Sequence, residues 1–256
     1  RVLALDEEQE LVVDQTTEQV RLLMRVKQVL KERALMLYAQ PIHNREGEGY
    51  HEILTRMRCG DSVIMPDQFI PLIVQFNLSQ RFDMLVLETL FSMLHKHPGQ
   101  RFSVNLLPAT LMQKDSAVQI IALFQRYAVS PDLITIEVTE EQAFSNADIS
   151  QQNLEALRAF GCAIAIDDFG TGYANYERLK HLQADIIKID GCFVRDILTD
   201  PLDAIMVKSI VEMARAKQMS VVAEYVESEP QKARLRELGV NYLQGYLVGK
   251  PRPLGE

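Results

Sequence analysis

The chain has 256 residues, 47% of them hydrophobic, and 27 Lys and Arg against 35 Asp and Glu give a formal charge of −8. That size suits one large α/β core, in the range of an eight-stranded β/α barrel at ~250 residues. The acidic balance, with no basic run anywhere, excludes general electrostatic attraction to nucleic acid or to an anionic membrane surface. Three widely spaced cysteines, Cys59, Cys162 and Cys192, argue against a disulfide framework or a thiolate zinc site and read as reduced cytosolic thiols. No apolar run approaches the ~18 to 20 residues of a membrane span and no signal peptide is visible. The chain starts at Arg1 without an initiator Met, so a piece of a longer protein is expected.

Residues 6 to 33 place Leu11, Val12, Val20, Leu22, Leu23, Val26, Val29 and Leu30 at helical spacing, with acids early and Lys27, Lys31 and Arg33 late. This predicts a helical extension or interdomain linker over residues 1–33, ahead of a main domain over 34–256. Core, packing helix and dimer contact are all open for its apolar face. From residue 34, eight apolar runs follow: Leu35 to Ile42, Tyr50 to Arg56, Phe102 to Leu107, Leu133 to Thr139, Cys162 to Asp167, Ile186 to Ile189, Val221 to Val226 and Tyr242 to Val248. Helix-length segments separate most of them, such as Phe82 to His95, Leu111 to Tyr127, Gln151 to Phe160, Leu202 to Lys217 and Glu229 to Leu238. Repeated β-then-α units predict a largely parallel sheet, and eight of them predict closure into a barrel. The connection His43 to Gly49 is too short for a parallel crossover, so the first two strands must be antiparallel.

Strand side chains alternate between faces, so a polar residue between two aliphatics points away from the helix-packing side. Asn105 lies between Val104 and Leu106, Glu137 between Ile136 and Val138, Lys188 between Ile187 and Ile189, and Glu224 between Ala223 and Tyr225. In the second run Glu52, Leu54 and Arg56 share one face. Each has a plain structural explanation alone, as a cap, a snorkelling lysine or a solvent-facing acid. The adjacent Asp167 and Asp168 end the run Ala163-Ile164-Ala165-Ile166 and open into Phe169-Gly170-Thr171-Gly172, which also suits a helix cap or a turn. Five strands placing Glu, Asn, Glu, Asp-Asp and Glu at equivalent positions, with one Lys among them, instead point to a shared site at one barrel mouth. Oxygen ligands without His or Cys suit a hard cation such as Mg²⁺ or Mn²⁺. The histidines lack zinc spacing, and Gly170-x-Gly172 lacks the pattern of a phosphate-cradling loop.

In order along residues 34 to 253, the chain resembles the EAL-domain family of cyclic di-GMP phosphodiesterases. The resemblance rests on Tyr38-Ala39-Gln40-Pro41-Ile42, Glu52-Ile53-Leu54-Thr55-Arg56, Val104-Asn105-Leu106, Glu137-Val138-Thr139-Glu140, Asp167 to Tyr173, Lys188-Ile189-Asp190, Ala223-Glu224-Tyr225-Val226-Glu227 and Gln244-Gly245-Tyr246. It implies a modified TIM-type (β/α)8 barrel with one antiparallel strand and hydrolysis of cyclic di-GMP to linear pGpG with two Mg²⁺ or Mn²⁺ ions. Glu52, Asn105, Glu137 and Asp167 would hold one ion; Asp167, Asp168 and Glu224 would hold the other. Lys188 would contact the attacking water, and Gln244 would help position it. Glu140 would anchor the loop starting at Asp168, while Gln40, Leu54 and Arg56 would contact the dinucleotide. The resemblance further implies a homodimer, an upstream sensory or cyclase-like domain, and a cytoplasmic domain whose parent is anchored in the inner membrane. A receptor or protein-interaction module of the same fold is the competing reading, separated by whether the ligand set is complete. Two departures stand out: Ile53 replaces the usual Ala or Val, and Tyr225 replaces the usual Gly. Parity turns both away from the site.

Overall fold

The computed structural model describes residues 2–60, 62–143, 148–170 and 183–255, with side chains described from residue 17 onward. Helix α1 (Val2–Glu32) leads into β1 (Leu35–His43) and β2 (Gly49–Cys59), an antiparallel hairpin with Leu35 opposite Met57 and His43 opposite Gly49. A short β3 (Ser62–Ile64) edges β2, and helices α2 (Pro66–Gln75) and α3 (Ser79–Met93) precede β4 (Phe102–Asn105), which pairs parallel to β2. The chain then runs α4 (Pro108–Leu111), α5 (Ser116–Tyr127), β5 (Ile134–Thr139), α6 (Glu140–Ala143), α7 (Asp148–Phe160) and β6 (Ala163–Phe169). After it come β7 (Ile186–Ile189), α8 (Gly191–Arg195), α9 (Pro201–Ala216), β8 (Ser220–Ala223), α10 (Glu229–Glu237), β9 (Tyr242–Gln244) and a two-residue β10 (Arg252–Pro253) beside β1. Strands β2 and β4 through β9 pair parallel in succession, and β1 joins β9 to β2 antiparallel on both sides. The eight expected strands therefore close a barrel with β1 reversed.

The outward strand residues Val104, Ile136, Val138, Ile164, Ile166, Ile187, Ile189 and Val221 join helix residues such as Leu87, Ile120, Leu157 and Val211 in one continuous core. Val26, Val29 and Leu30 belong to the same core, so the last turns of α1 pack on the barrel. A separate small cluster of Ile42, Tyr50 and Val222 fills the barrel interior. No described helix is long and apolar enough to cross a membrane.

Several expected elements are shorter in the structure, each for a local reason. The run ending at Leu107 stops at Asn105, because Pro108 starts α4 and the Leu107 N–H turns to Asp83. The helix expected over Leu111 to Tyr127 is two helices. The run to Val226 stops at Ala223 ahead of Tyr225, whose φ is +54°, and the run to Val248 stops at Gln244. There Gly245 holds φ +152°, and a Cβ on it would meet the Val226 backbone, its carbonyl carbon at 2.7 Å.

Asp83 of α3 shows how the outer layer sets the position of the inner one. Its Oδ2 accepts from Leu107 N at 2.9 Å and from Thr110 Oγ1 at 2.5 Å, fixing the turn just beyond Asn105. Burial pushes this carboxyl up to about 7, against the two hydrogen bonds. Between pH 4 and 7 the folded chain therefore keeps a proton that the unfolded chain has lost, so this group's contribution to stability falls as pH rises. Asp83→Asn is expected to flatten that slope: from pH 5 to 8 wild type loses on the order of 2 to 3 kcal/mol relative to the variant, read from urea unfolding at each pH.

Candidate active site

Inward polar groups from the barrel strands and from the turn after β8 meet around a single ammonium. Lys188 of β7 is fully buried, and its Nζ lies 2.7 Å from Glu137 Oε2, 2.9 Å from Asp167 Oδ1, 2.9 Å from Glu224 Oε1 and 3.2 Å from Glu52 Oε2. Glu52 also accepts from Asn105 Nδ2 at 2.8 Å and from Gln244 Nε2 at 2.6 Å, and Gln244 reaches Gln40 Oε1 at 3.3 Å. Seven strands and the turn after β8 thus converge on one point. Ala165 faces Glu137 across the β5–β6 pairing and is itself fully buried, so small residues on β6 leave room for the polar layer.

Simple alternation would send Asp167 and Asp168 to opposite faces. The β6–β7 pairing shifts register between Ile166 and Phe169, and Asp168 adopts φ +53°. This bulge returns both carboxylates to the mouth, where Asp167, Asp168 and Glu224 bring oxygens within 4.8 Å of one another. Glu52, Glu137 and Asp167 form a second such group, so Asp167 is shared. Just beyond, the Gly170 N–H donates to Glu140 Oε2 at 2.9 Å; residues 171–182, which carry the rest of that motif, lie outside the described residues.

The charges do not balance. Four carboxylates contact one ammonium and a fifth, Asp168, lies beside them, and the consequence is written in their protonation. Burial, together with the charges of Glu52 and Asp167, holds Glu137 well above the usual carboxylate range despite Lys188. Glu224 is pushed up to about 8 by burial and its acidic neighbours against the pull of Lys188, and Asp168 rises through burial, Asp167 and Asp190. Burial raises Glu52 too, yet Lys188 and the hydrogen bonds from Gln244 and Asn105 outweigh it and keep it low. Lys188 itself is held charged, because four carboxylates overcome the desolvation of its ammonium. Glu137 Oε1 and Gln244 Oε1 are buried without a hydrogen-bond partner, and the partner of Asp167 Oδ1 is the shared Lys188 ammonium. Buried, partnerless oxygens in an excess of negative charge fit a hard divalent cation.

Above this cluster opens a cavity of about 420 Å³, walled by Gln40, Leu54, Asp190, Tyr225, Glu227 and Tyr246. Arg56 is not among the lining groups: its guanidinium stacks 3.7 Å from the Tyr38 ring centroid. The Asp190 carboxylate on that wall also accepts from Cys192 N as the cap of α8. Tyr225 is 61% exposed on the mouth, not turned away, because the strand whose parity would direct it has already ended.

The EAL domain profile matches residues 24–251. The chain belongs to the EAL domain family. It is 60% identical over its full length to the probable cyclic di-GMP phosphodiesterase PdeA of Escherichia coli K12, covering 36% of that protein. It is 45% identical over 93% of its length to the cyclic di-GMP phosphodiesterase PdeF of the same organism, covering 32% of it. The chain thus spans about a third of the curated relatives it matches. Among solved structures, the MucR phosphodiesterase of Pseudomonas aeruginosa in complex with c-di-GMP superposes with a TM-score of 0.83 at 34% identity, covering 91% of this chain and 98% of that one.

Two outcomes follow for this EAL domain. Saturating Mg²⁺ or Mn²⁺ is expected to raise its Tm, with about 2.7 kcal/mol gained at a hundredfold excess over Kd. Asp167→Asn, which alters the carboxylate shared by both groups, is expected to abolish the rise in the same thermal melt. Lys188→Met leaves the carboxylates without their ammonium and is expected to destabilise the metal-free domain by about 3 to 5 kcal/mol, with divalent cations restoring part of the loss.

Proposed function

We propose that this domain hydrolyses one phosphodiester bond of cyclic di-GMP to give linear pGpG, with two Mg²⁺ or Mn²⁺ ions. The observation that carries the reading is the excess of inward carboxylates around Lys188 at the base of an open mouth, in a chain with close phosphodiesterase relatives. Glu52, Glu137 and Asp167, with Asn105 beside Glu52, would hold one cation; Asp167, Asp168 and Glu224 would hold the other. When bound, such cations supply Lewis-acid charge to a phosphate and acidify water in a chain whose net charge would otherwise repel the substrate.

The protein's own groups do the rest. Lys188 presents a permanently charged donor at the centre of the ligand set, where it can orient a water or a phosphate oxygen. Gln244 and Asn105 pin the two oxygens of Glu52, so that its orientation is set before substrate arrives. Gln40 and Leu54 line the wall against which the dinucleotide would lie. Glu140, by binding Gly170 N, holds the backbone just after Asp168.

We also place the domain in a longer, homodimeric parent with an upstream sensory or cyclase-like domain. Its relatives are about three times longer, and Leu198, Leu202, Ile205 and Met206 form an exposed apolar stretch before and within α9 that a second copy would cover.

The decisive test is incubation of the purified chain with cyclic di-GMP and Mg²⁺ or Mn²⁺, with chromatography of the products. Wild type is expected to release pGpG only with the cation. Glu52→Gln is expected to lose at least a hundredfold in kcat while keeping its circular dichroism spectrum. Saturable binding without product in wild type would replace this reading with a receptor.

A further inference from the structure

Among the described residues, the mouth contains one large side chain in a backbone conformation that large side chains avoid. Tyr225 has φ +54°, the left-handed region, which bulky residues rarely enter without a compensating reason. Nothing in the core supplies that reason, since the side chain is 61% exposed. The neighbouring chain is built around it instead. At Gly191, the first residue of α8, an added Cβ would lie 2.9 Å from Tyr225 Cβ and closer still to its ring. One side of the ring therefore rests on a backbone with no side chain to lift it, and the rest stands open in the mouth beside Glu224 and Glu227. The next residue, Val226, is fully buried and bonded to Gln244 through its N–H at 3.0 Å, so the ring stands on a fixed base.

We infer that Tyr225 is a specificity-determining shelf, its open face receiving a purine ring of the substrate by stacking. The inference rests on the reading of cyclic di-GMP as substrate and adds which protein surface meets a base. A rigid aromatic face at the mouth, beside the carboxylates of Glu224 and Glu227, would discriminate for a flat heterocycle over a bare phosphodiester. It acts on binding and not on the reacting atoms, so its removal falls on KM.

Tyr225→Gly, Tyr225→Phe and wild type are compared by steady-state hydrolysis of cyclic di-GMP and by the cation-dependent rise in Tm. The expected result is a KM about tenfold higher for Tyr225→Gly with kcat within twofold, wild-type KM for Tyr225→Phe, and an unchanged Tm rise in both. The chain contains no Trp, so Tyr225→Trp provides a single indole, expected to lose fluorescence on adding cyclic di-GMP and not on adding inorganic phosphate. An unchanged KM in Tyr225→Gly overturns the shelf and leaves the phosphodiesterase reading standing. A higher kcat/KM in that variant makes the ring an obstruction, and a raised KM in Tyr225→Phe assigns the effect to the hydroxyl; either overturns it. Wild type that binds cations but releases no pGpG removes the phosphodiesterase reading and the shelf with it.

Discussion

Everything at the centre of this barrel depends on one buried ammonium. Lys188 Nζ stands within 3.2 Å of four carboxylates drawn from β2, β5, β6 and the end of β8. Desolvating that ammonium is expensive, and so is desolvating each carboxylate; assembled, they compensate one another only in part. Such a cluster is poor at stabilising a fold compared with well-packed aliphatics of the same volume. Its persistence in the middle of the barrel makes sense as a device for holding mutually repelling oxygen ligands together in a set geometry. Lys188 keeps Glu52, Glu137, Asp167 and Glu224 from separating, and the residual negative charge is what a divalent cation would neutralise. The restraining lysine and the cation-seeking acids are two consequences of one arrangement.

The second constraint is that regular strands cannot build such a site alone. Alternation brings one inward group per two residues, so two adjacent inward carboxylates need a defect. The β6 bulge at Asp168 is that defect, and the left-handed turn at Tyr225 ends β8 immediately after the Glu224 carboxylate has been delivered. Left-handed backbone at a residue with a Cβ costs roughly 1 to 2 kcal/mol. Asp168 and Tyr225 both lie at the mouth, next to residues that face the cluster, whereas the other left-handed non-glycine residues among those described, Arg33, Asn77, Ala128 and Gln218, each follow the end of a helix or its last turn. The surrounding core of Leu, Ile, Val and Phe stabilises the whole.

How much of this was legible in the sequence follows from the same division. Glu137 and Lys188 were readable because both neighbours of each are aliphatic and β5 and β7 are regular, so parity held. The reversed β1 was readable because the short connection from His43 to Gly49 cannot cross a barrel. Asp168 was readable as a carboxylate but not by direction, since a bulge leaves no periodic trace. Tyr225 was misdirected for a related reason: parity was carried two residues past Ala223, where the strand ends. Arg56 was put at the dinucleotide by resemblance; the hairpin register adds that its guanidinium stacks on Tyr38, a cross-strand neighbour. Asp190 carried a strong local signal, an Asp-Gly pair opening a short helix, and that capping signal hid its second position on the cavity wall.

The apolar part of the interior completes the electrostatic argument. Ile42, Tyr50 and Val222 occupy the inside of the barrel alongside the charged layer, with Val222 paired directly to Lys188 between β7 and β8. Burial raises the Tyr50 phenol well above its ordinary range, and the Glu137 charge adds to the shift, so the ring stays neutral and adds no charge of its own. Its hydroxyl finds no hydrogen-bond partner among the described residues, so Tyr50 packs beside the charged layer without joining its hydrogen bonds. Buried beside these side chains, the charges around Lys188 interact more strongly than they would in water, and the cavity bounded by Tyr225 and Tyr246 opens onto them. The one-sided opening therefore does two things at once: it lets the field of the cluster act at full strength on whatever enters, and it makes the residues of the rim the natural place for substrate choice.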